Sequence, residues 1–135
     1  MNANILCTLL AQRINPEHFQ LRGTDVHWMD DAYDTPANRA IVADVVANYG
    51  TLKLSVIKSE KLASIRANAK RIIEKKYPLW FQANVSNGIY SDAVGDTMKA
   101  GIVSVITESN RCEDLVDAAT TVEQINAVTP NWPVL

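Results

Sequence analysis

His18 and His27 are the only histidines of the chain, and Asp30, Asp31 and Asp34 follow close behind them. Imidazoles and carboxylates at these separations could hold a divalent cation. The spacing is nevertheless neither HExxH nor HxH, the patterns that put two imidazoles on one face of an element. The acidic run also lacks the alternating aspartates, the glycine and the distal bidentate glutamate of a calcium loop. These groups read as surface polar residues, with the carboxylates compensating the positive end of a helix that opens at Pro36. Nucleophiles fare no better. Ser55, Ser59 and Ser64 lie on a predicted helix, outside any GxSxG elbow. Cys112 has no histidine near it in sequence. Cys7 and Cys112 are far apart and form no CxxC pair, so both are expected as buried free thiols, although a disulfide between them is chemically possible. Glu60 and Glu74 are expected on a solvated helix face, Glu74 paired with Lys70 one turn earlier. Neither GxxxxGK followed by Ser or Thr nor GxGxxG occurs, so no phosphate loop is present. The expectation is a protein that is not an enzyme and takes no metal and no cofactor.

What the chain concentrates instead is aromatic surface. The segment Arg71-Ile72-Ile73-Glu74-Lys75-Lys76-Tyr77-Pro78-Leu79-Trp80-Phe81 carries a charged amphipathic helix into a cluster of bulky side chains. Leu62, Ile65, Ala69 and Ile72 recur at helical spacing ahead of it, so an apolar stripe leads straight into the rings. Two readings stand side by side. The rings plug a core, as aromatic stripes commonly do. Or they contact a partner, because Trp and Tyr bury large area at low rotamer cost. The candidate partner-binding residues are Tyr77, Trp80, Phe81 and Trp132. Trp132 lies between Pro130 and Pro133, which hold the tail extended. The tail is either folded back onto the body or presented to a partner.

These side chains must be positioned by a small set of elements. Ile5, Leu6, Leu9 and Leu10 predict a short amphipathic helix ending before Pro16. Phe19, Leu21, Val26 and Trp28 alternate with polar residues around Gly23-Thr24-Asp25, which predicts a β-hairpin over about 19–29. Such a hairpin is marginal alone and must lean on a helix. Thr35 as N-cap and Pro36 at the first helical position start the next element. Apolar residues then recur in steps of three and four from Ile41 to Ile72. This predicts one long helix, or two nearly collinear ones, over about 36–77, with Gly50 as its weak point. A helix of that length with a narrow stripe favours a helical hairpin or a coiled coil. Pro78 ends it and can open a short helix through Asn84. A further helix begins near Ser91-Asp92 and carries Val94, Met98, Ile102, Val105 and Ile106. Ser109-Asn110 is expected to cap a separate turn, and Thr120 with Glu123 to form the capping box of a last short helix.

The fold class expected is therefore mainly α with a small N-terminal β-hairpin, an α+β arrangement. The chain divides into a small N-terminal part, 1–35, and a helical body with an extended C-terminal tail, 36–135. A chain of 135 residues can bury a real core without staples. The formal net charge is −2, which argues against a general nucleic-acid binder. The basic stretch from Lys58 to Lys76 is interleaved with Glu60 and Glu74 and reads as a solvated helix face. No apolar run approaches a membrane span, and the N-terminus lacks the basic and apolar regions of a signal peptide, so a soluble cytoplasmic protein is expected.

The order Leu9-Leu10, Val26-His27-Trp28, Thr35-Pro36 and Ile41-Val42-Ala43-Asp44-Val45-Val46-Ala47-Asn48-Tyr49 resembles the small XkdW-like proteins encoded beside tail-fibre genes in tailed bacteriophages and prophages. The likeness is strongest from Trp28 to Tyr49. Arg71 through Trp80, the residues Met98, Ile102 and Val105, and the terminal Asn131-Trp132-Pro133 are compatible with it. Gln82 and Gly101 depart from it, standing where apolar packing residues would be expected. The resemblance implies a non-enzymatic tail accessory protein that binds the tail fibre or baseplate, as an assembly chaperone or a retained virion component. It would be found in the host cytoplasm during assembly, or in the virion tail, and the long stripe also allows a homo-oligomer. The alternative of a different class is a small acidic regulatory module that modulates a host protein. No family site residue carries over.

Overall fold

The computed structural model describes all 135 residues and is mainly helical, with one two-stranded antiparallel sheet. The chain forms two compact units, Met1–Val56 and Ile57–Leu135. The division expected near residue 36 falls inside the first of them.

In the first unit, α1 (Ala3–Ala11) is capped by Asn2, whose Oδ1 accepts from the backbone N–H groups of Asn4 and Ile5 at 3.0 and 3.2 Å. Those donors have no partner inside the helix, so a cap is the local reason the helix starts there. Leu6, Leu9 and Leu10 form the buried centre together with Ile14, Phe19 and Val45. Cys7 points away from this centre and is exposed, contrary to the buried thiol expected; Cys112 is buried. The period-4 leucine pairs claim the inner face of so short a helix, and Cys7 falls outside it.

Strands β1 (Phe19–Arg22) and β2 (Asp25–Trp28) pair with Phe19 opposite Trp28 and Leu21 opposite Val26. These four side chains share the face that packs on α1. The loop is Gly23-Thr24, and Gly23 adopts φ +65°. A glycine with positive φ at the first loop position is what a type II′ hairpin turn requires.

Helix α2 (Pro36–Ala47) starts as expected, with Thr35 Oγ1 accepting from the Asn38 backbone N–H at 3.1 Å and Pro36 in the first turn. It does not continue. The chain breaks at Asn48, and α3 (Tyr49–Lys76) leaves at 77° to α2, which corrects the single or collinear helix over 36–77. Gly50 stays helical. The break falls at Asn48, whose Nδ2 donates to the Asp44 carbonyl at 3.0 Å and to Asp44 Oδ1 at 2.9 Å. The Asp44 carbonyl also keeps its regular bond from the Asn48 backbone N–H, at 3.0 Å, so Asn48 ends α2 as a C-cap whose side chain folds back on the last turn. The bend also has a packing reason. Ile41 and Val56 both reach the cluster around Leu6 and Val45, yet along a straight helix they would lie about 22 Å apart. The Tyr49 hydroxyl then accepts from the Asn2 backbone N–H at 2.8 Å, tying the start of α3 to the start of α1.

In the second unit, α3 runs antiparallel to α5 (Asp92–Ala118). Lys58 Nζ donates to the Asp117 carbonyl at 2.6 Å, Arg66 clamps Glu113 at 2.6 and 2.9 Å, and Tyr77, just past α3, lies over Gly101. Numbers rise on one side as they fall on the other, which is the helical hairpin that the narrow stripe predicts. The inner line of α5 is Gly95, Met98, Ile102, Val105, Ser109, Cys112 and Val116, all buried except the half-buried Ile102. Its steps alternate three and four residues, the seam of a coiled coil. Leu62, Ile65, Ala69 and Ile72 repeat the same steps on α3. Helix α5 is one helix to Ala118, which corrects the separate turn expected at Ser109-Asn110. Ser109 is a seam residue, and its Oγ donates to Glu113 Oε1 at 3.0 Å one turn on instead of capping a new helix. Val94 and Ile106, expected on the stripe, are exposed.

The short α4 (Leu79–Ser86) lies between α3 and α5, and α6 (Val122–Ala127) follows α5. The last capping box is Thr121 with Gln124, one residue later than expected: Thr121 Oγ1 accepts from Gln124 N at 3.2 Å and Gln124 Oε1 accepts from Thr121 N at 3.2 Å. No single helix is long and apolar enough to cross a membrane.

Because Ile65 is only 2% exposed at the α3–α5 seam while Leu62 is half-buried, Ile65→Ala is expected to cost about 2–5 kcal/mol and Leu62→Ala less. Equilibrium urea unfolding of the two variants measures the order; equal losses would overturn it, and no loss in Ile65→Ala would remove Ile65 from the core.

Candidate functional site

Helix α3 ends where Pro78 follows Tyr77. Proline has no N–H to continue the ladder, and it takes φ −56° and ψ 156° as the residue before α4. The Pro78 carbonyl restarts the helical bonding, accepting from Phe81 and Gln82 N–H at 2.8 and 3.1 Å. Gln82 explains its own departure from an apolar pattern. Its Nε2 donates to the Tyr77 carbonyl at 2.7 Å, satisfying an acceptor left over at the end of α3. Gly101 is explained in the same way. A Cβ at that position would stand 2.8 Å from the Tyr77 hydroxyl oxygen, 3.0 Å from its Cε2 and 3.2 Å from Leu135 Cδ2. The glycine is there because a tyrosine and the C-terminal leucine lie on the bare helix backbone.

The four candidate residues therefore part company. Tyr77 is 7% exposed and packs in the core. Phe81 is half-buried at the centre of a ring cluster, 6.0 Å from Tyr77, 5.8 Å edge-on from Trp80 and 4.8 Å in a stack with Tyr90. Trp80 is 61% exposed. Trp132 is half-buried and belongs to none of these ring pairs. The structure adds three residues that spacing did not single out: Leu79 at 68% exposure, Ile89 at 65% and Tyr90 beneath Phe81. The Tyr-Pro-Leu-Trp order held the signal for Leu79, because a proline restart turns the first residues of a new helix outward from the old stripe. Nothing in the spacing marked Ile89 or Tyr90, and Tyr90 reaches Phe81 only through the turn at Gly88, φ +70°.

The tail takes the folded-back arrangement. The Asn131 backbone N–H donates to Glu108 Oε1 at 2.6 Å, and Arg111 Nη2 donates to the Thr129 carbonyl at 3.4 Å. Arg111 also grips Glu108 through both carboxylate oxygens, at 2.7 and 2.8 Å. The arginine first, and then the Asn131 N–H, hold the Glu108 carboxyl down at about 2. Next to it, burial pushes the Cys112 thiol above its ordinary value, so it stays protonated and unreactive at neutral pH.

In the first unit, the groups that could have assembled a metal site are dispersed. His18 stacks on Tyr33 with ring centroids 3.8 Å apart, and His27 sits in β2 opposite Gln20. Asp30 caps the turn that follows it, and Asp34 is clamped by Arg39 at 2.5 and 2.6 Å, which lowers its carboxyl below the usual range. No three His, Cys, Asp or Glu side chains converge. A hollow of about 530 Å³ beside Trp28 has this Asp34–Arg39 pair in its wall, so its one cation is already neutralised. Ser55, Ser59 and Ser64 are exposed along α3. Comparisons with protein-family models, curated proteins and solved structures gave no match.

Gly101→Ala is expected to destabilise by about 1–3 kcal/mol through overpacking, although alanine is the better helix former. Part of the loss should return when Tyr77→Phe removes the nearest atom, and a thermal-melt double-mutant cycle reads the coupling. For Glu108, the folded value lies below the ordinary 4.5, so its contribution is complete above that value and is lost as pH falls through the window down to about 2. In a variant keeping Trp132 as its single tryptophan (Trp28→Phe, Trp80→Phe), the emission should shift red across that window. Glu108→Gln should show the shifted emission already at neutral pH; an unshifted spectrum would mean that Glu108 does not hold the tail.

Proposed function

We propose that this chain is a non-enzymatic docking protein and that α4 carries its contact surface. The observation that carries the reading is the exposure of the neighbouring Leu79 and Trp80 at the start of α4, with Trp80 edge-on to a Phe81 that stacks on Tyr90. Single exposed apolar residues are ordinary, but a group of them on a rigid support marks a place where another surface goes. A tryptophan edge-packed on a held phenylalanine is the kind of anchor that dominates binding energy when a partner covers it. The resemblance to XkdW-like proteins gives the partner. The chain would engage a tail-fibre or baseplate protein of a tailed phage in the host cytoplasm, as an assembly chaperone or as a component kept in the virion tail. Trp132 is better read as a tail anchor than as a contact, since the segment around it is bonded to Glu108 and Arg111.

The test is co-expression with the fibre and baseplate proteins encoded in the same phage or prophage region, followed by affinity capture. Trp80→Ala should keep the wild-type melting temperature, because the side chain is mostly exposed, and should weaken capture by about 30-fold or more, the loss of a hot-spot residue. Capture unchanged in a folded Trp80→Ala variant would place the contact elsewhere. Capture of neither protein by the wild type would favour the regulatory module that targets a host protein.

A further inference from the structure

Resting on the reading of α4 as a docking surface, we propose that its partner presents an acidic protein segment carrying an aromatic or aliphatic anchor. The end of α3 supplies the charge argument. Of the arginines in the second unit, Arg66 is clamped by Glu113 and Arg111 by Glu108, while Arg71 has no carboxylate partner. Lys75 and Lys76 have none either, and the neighbouring Lys70 meets Glu74 only at 3.8 Å. Three cations therefore stand unpaired within six residues of a chain whose net charge is −2.

They are placed beside apolar hollows. One, of about 330 Å³, lies between Lys76, Tyr77, Phe81 and Val94. A second of the same size lies between Arg71, Ile72, Lys75, Lys76 and Leu135. Lys76 borders both, and no acidic side chain lines either. The acidic residues at the start of α5, Asp92 and Asp96, line a different hollow. The exposed Trp80 stands outside the first hollow, edge-on to Phe81, which lines it. An apolar seat rimmed by unpaired cations complements a segment that carries carboxylates around a bulky apolar side chain. Charge of that kind steers encounter and fixes orientation, and the seated side chain supplies the affinity. A nucleic acid would satisfy the cations and could stack on the Tyr77 and Phe81 rings of the first hollow, but the second, walled by Ile72, Leu135 and basic side-chain stems, offers no ring face for a base, and a net charge of −2 opposes a polyanion, so the protein segment is the better match.

The measurement is fluorescence anisotropy with a labelled peptide, Glu-Asp-Glu-Phe-Leu-Glu-Asp, and the full-length protein. Controls are the same peptide with lysine for every acid, the acidic peptide with serine for Phe and Leu, and single-stranded oligothymidylate. The acidic apolar peptide is expected to bind best, with salt weakening it. Trp80→Ala should reduce its affinity about 10-fold or more. The triple reversal Arg71→Glu, Lys75→Glu, Lys76→Glu should abolish it and transfer binding to the lysine peptide, with the helical circular dichroism unchanged because all three positions are exposed. Equal binding of the serine peptide or of oligothymidylate would reduce the surface to a general polyanion patch and overturn the proposal. So would failure of the acidic peptide to bind, or indifference to the triple reversal. The two readings separate in the capture assay: a triple-reversal variant that still captures the fibre or baseplate protein, while Trp80→Ala does not, keeps the docking surface and removes the acidic partner.

Discussion

Tyr77 can lie on α5 only because Gly101 has no side chain. That single close approach fixes the end of α3, since Tyr77 is the last residue before Pro78 and its carbonyl is the one Gln82 takes up. With the ring and the carbonyl both held, Pro78 restarts the helix in a set direction. The side chains of Leu79 and Trp80 are carried outward while Phe81 turns in against Tyr77 and Tyr90. Leu135 rests on the same glycine, so the C-terminal tail and the α3–α4 corner share one support. Backbone-on-ring contact of this sort is unforgiving, because a packed interior has no slack to absorb an added methyl group.

The hairpin of α3 and α5 makes that support rigid. Its buried line mixes ordinary core residues, Ile65, Met98, Val105 and Val116, with the polar Ser109 and the thiol of Cys112. The polar side chain is satisfied locally: Ser109 donates to Glu113, which Arg66 holds from the facing helix. Because no buried side-chain nitrogen or oxygen is left without a partner, the seam tolerates polar atoms without the penalty of an orphan group.

Much of this architecture is legible in residue order wherever a local rule decides the outcome. Alternation around Gly23-Thr24 gives the hairpin, the leucines of α1 give its buried face, and Thr35-Pro36 gives the start of α2. What cannot be read locally depends on contacts distant in sequence. The break at Asn48 is needed because Ile41 and Val56 must reach one core. The continuity of α5 through Ser109 depends on Glu113 and Arg66. The same holds for the candidate surface. Tyr77, Trp80 and Phe81 look alike as a cluster of rings, and only the position of Gly101 separates the buried ring from the exposed one. Ile89 and Tyr90 gave no signal because the turn at Gly88 decides where they go.

Helix α4 would not survive alone. It has eight residues and no side-chain cap at its start, and helices that short are marginal in water. Its shape comes from outside: Gln82 on the Tyr77 carbonyl, Phe81 on Tyr90, and Val85 against Gly95 of α5, where a Cβ would stand 3.2 Å from the valine methyl. These contacts hold the inward side and leave Leu79 and Trp80 free. A surface built this way is already ordered before anything touches it. A partner docking on such a surface would lose only the rotamer freedom of a few side chains, where a loop would also lose backbone freedom, so more of the buried area would appear as affinity. The exposed tryptophan and the short helix that carries it both depend on a corner fixed by the rest of the unit.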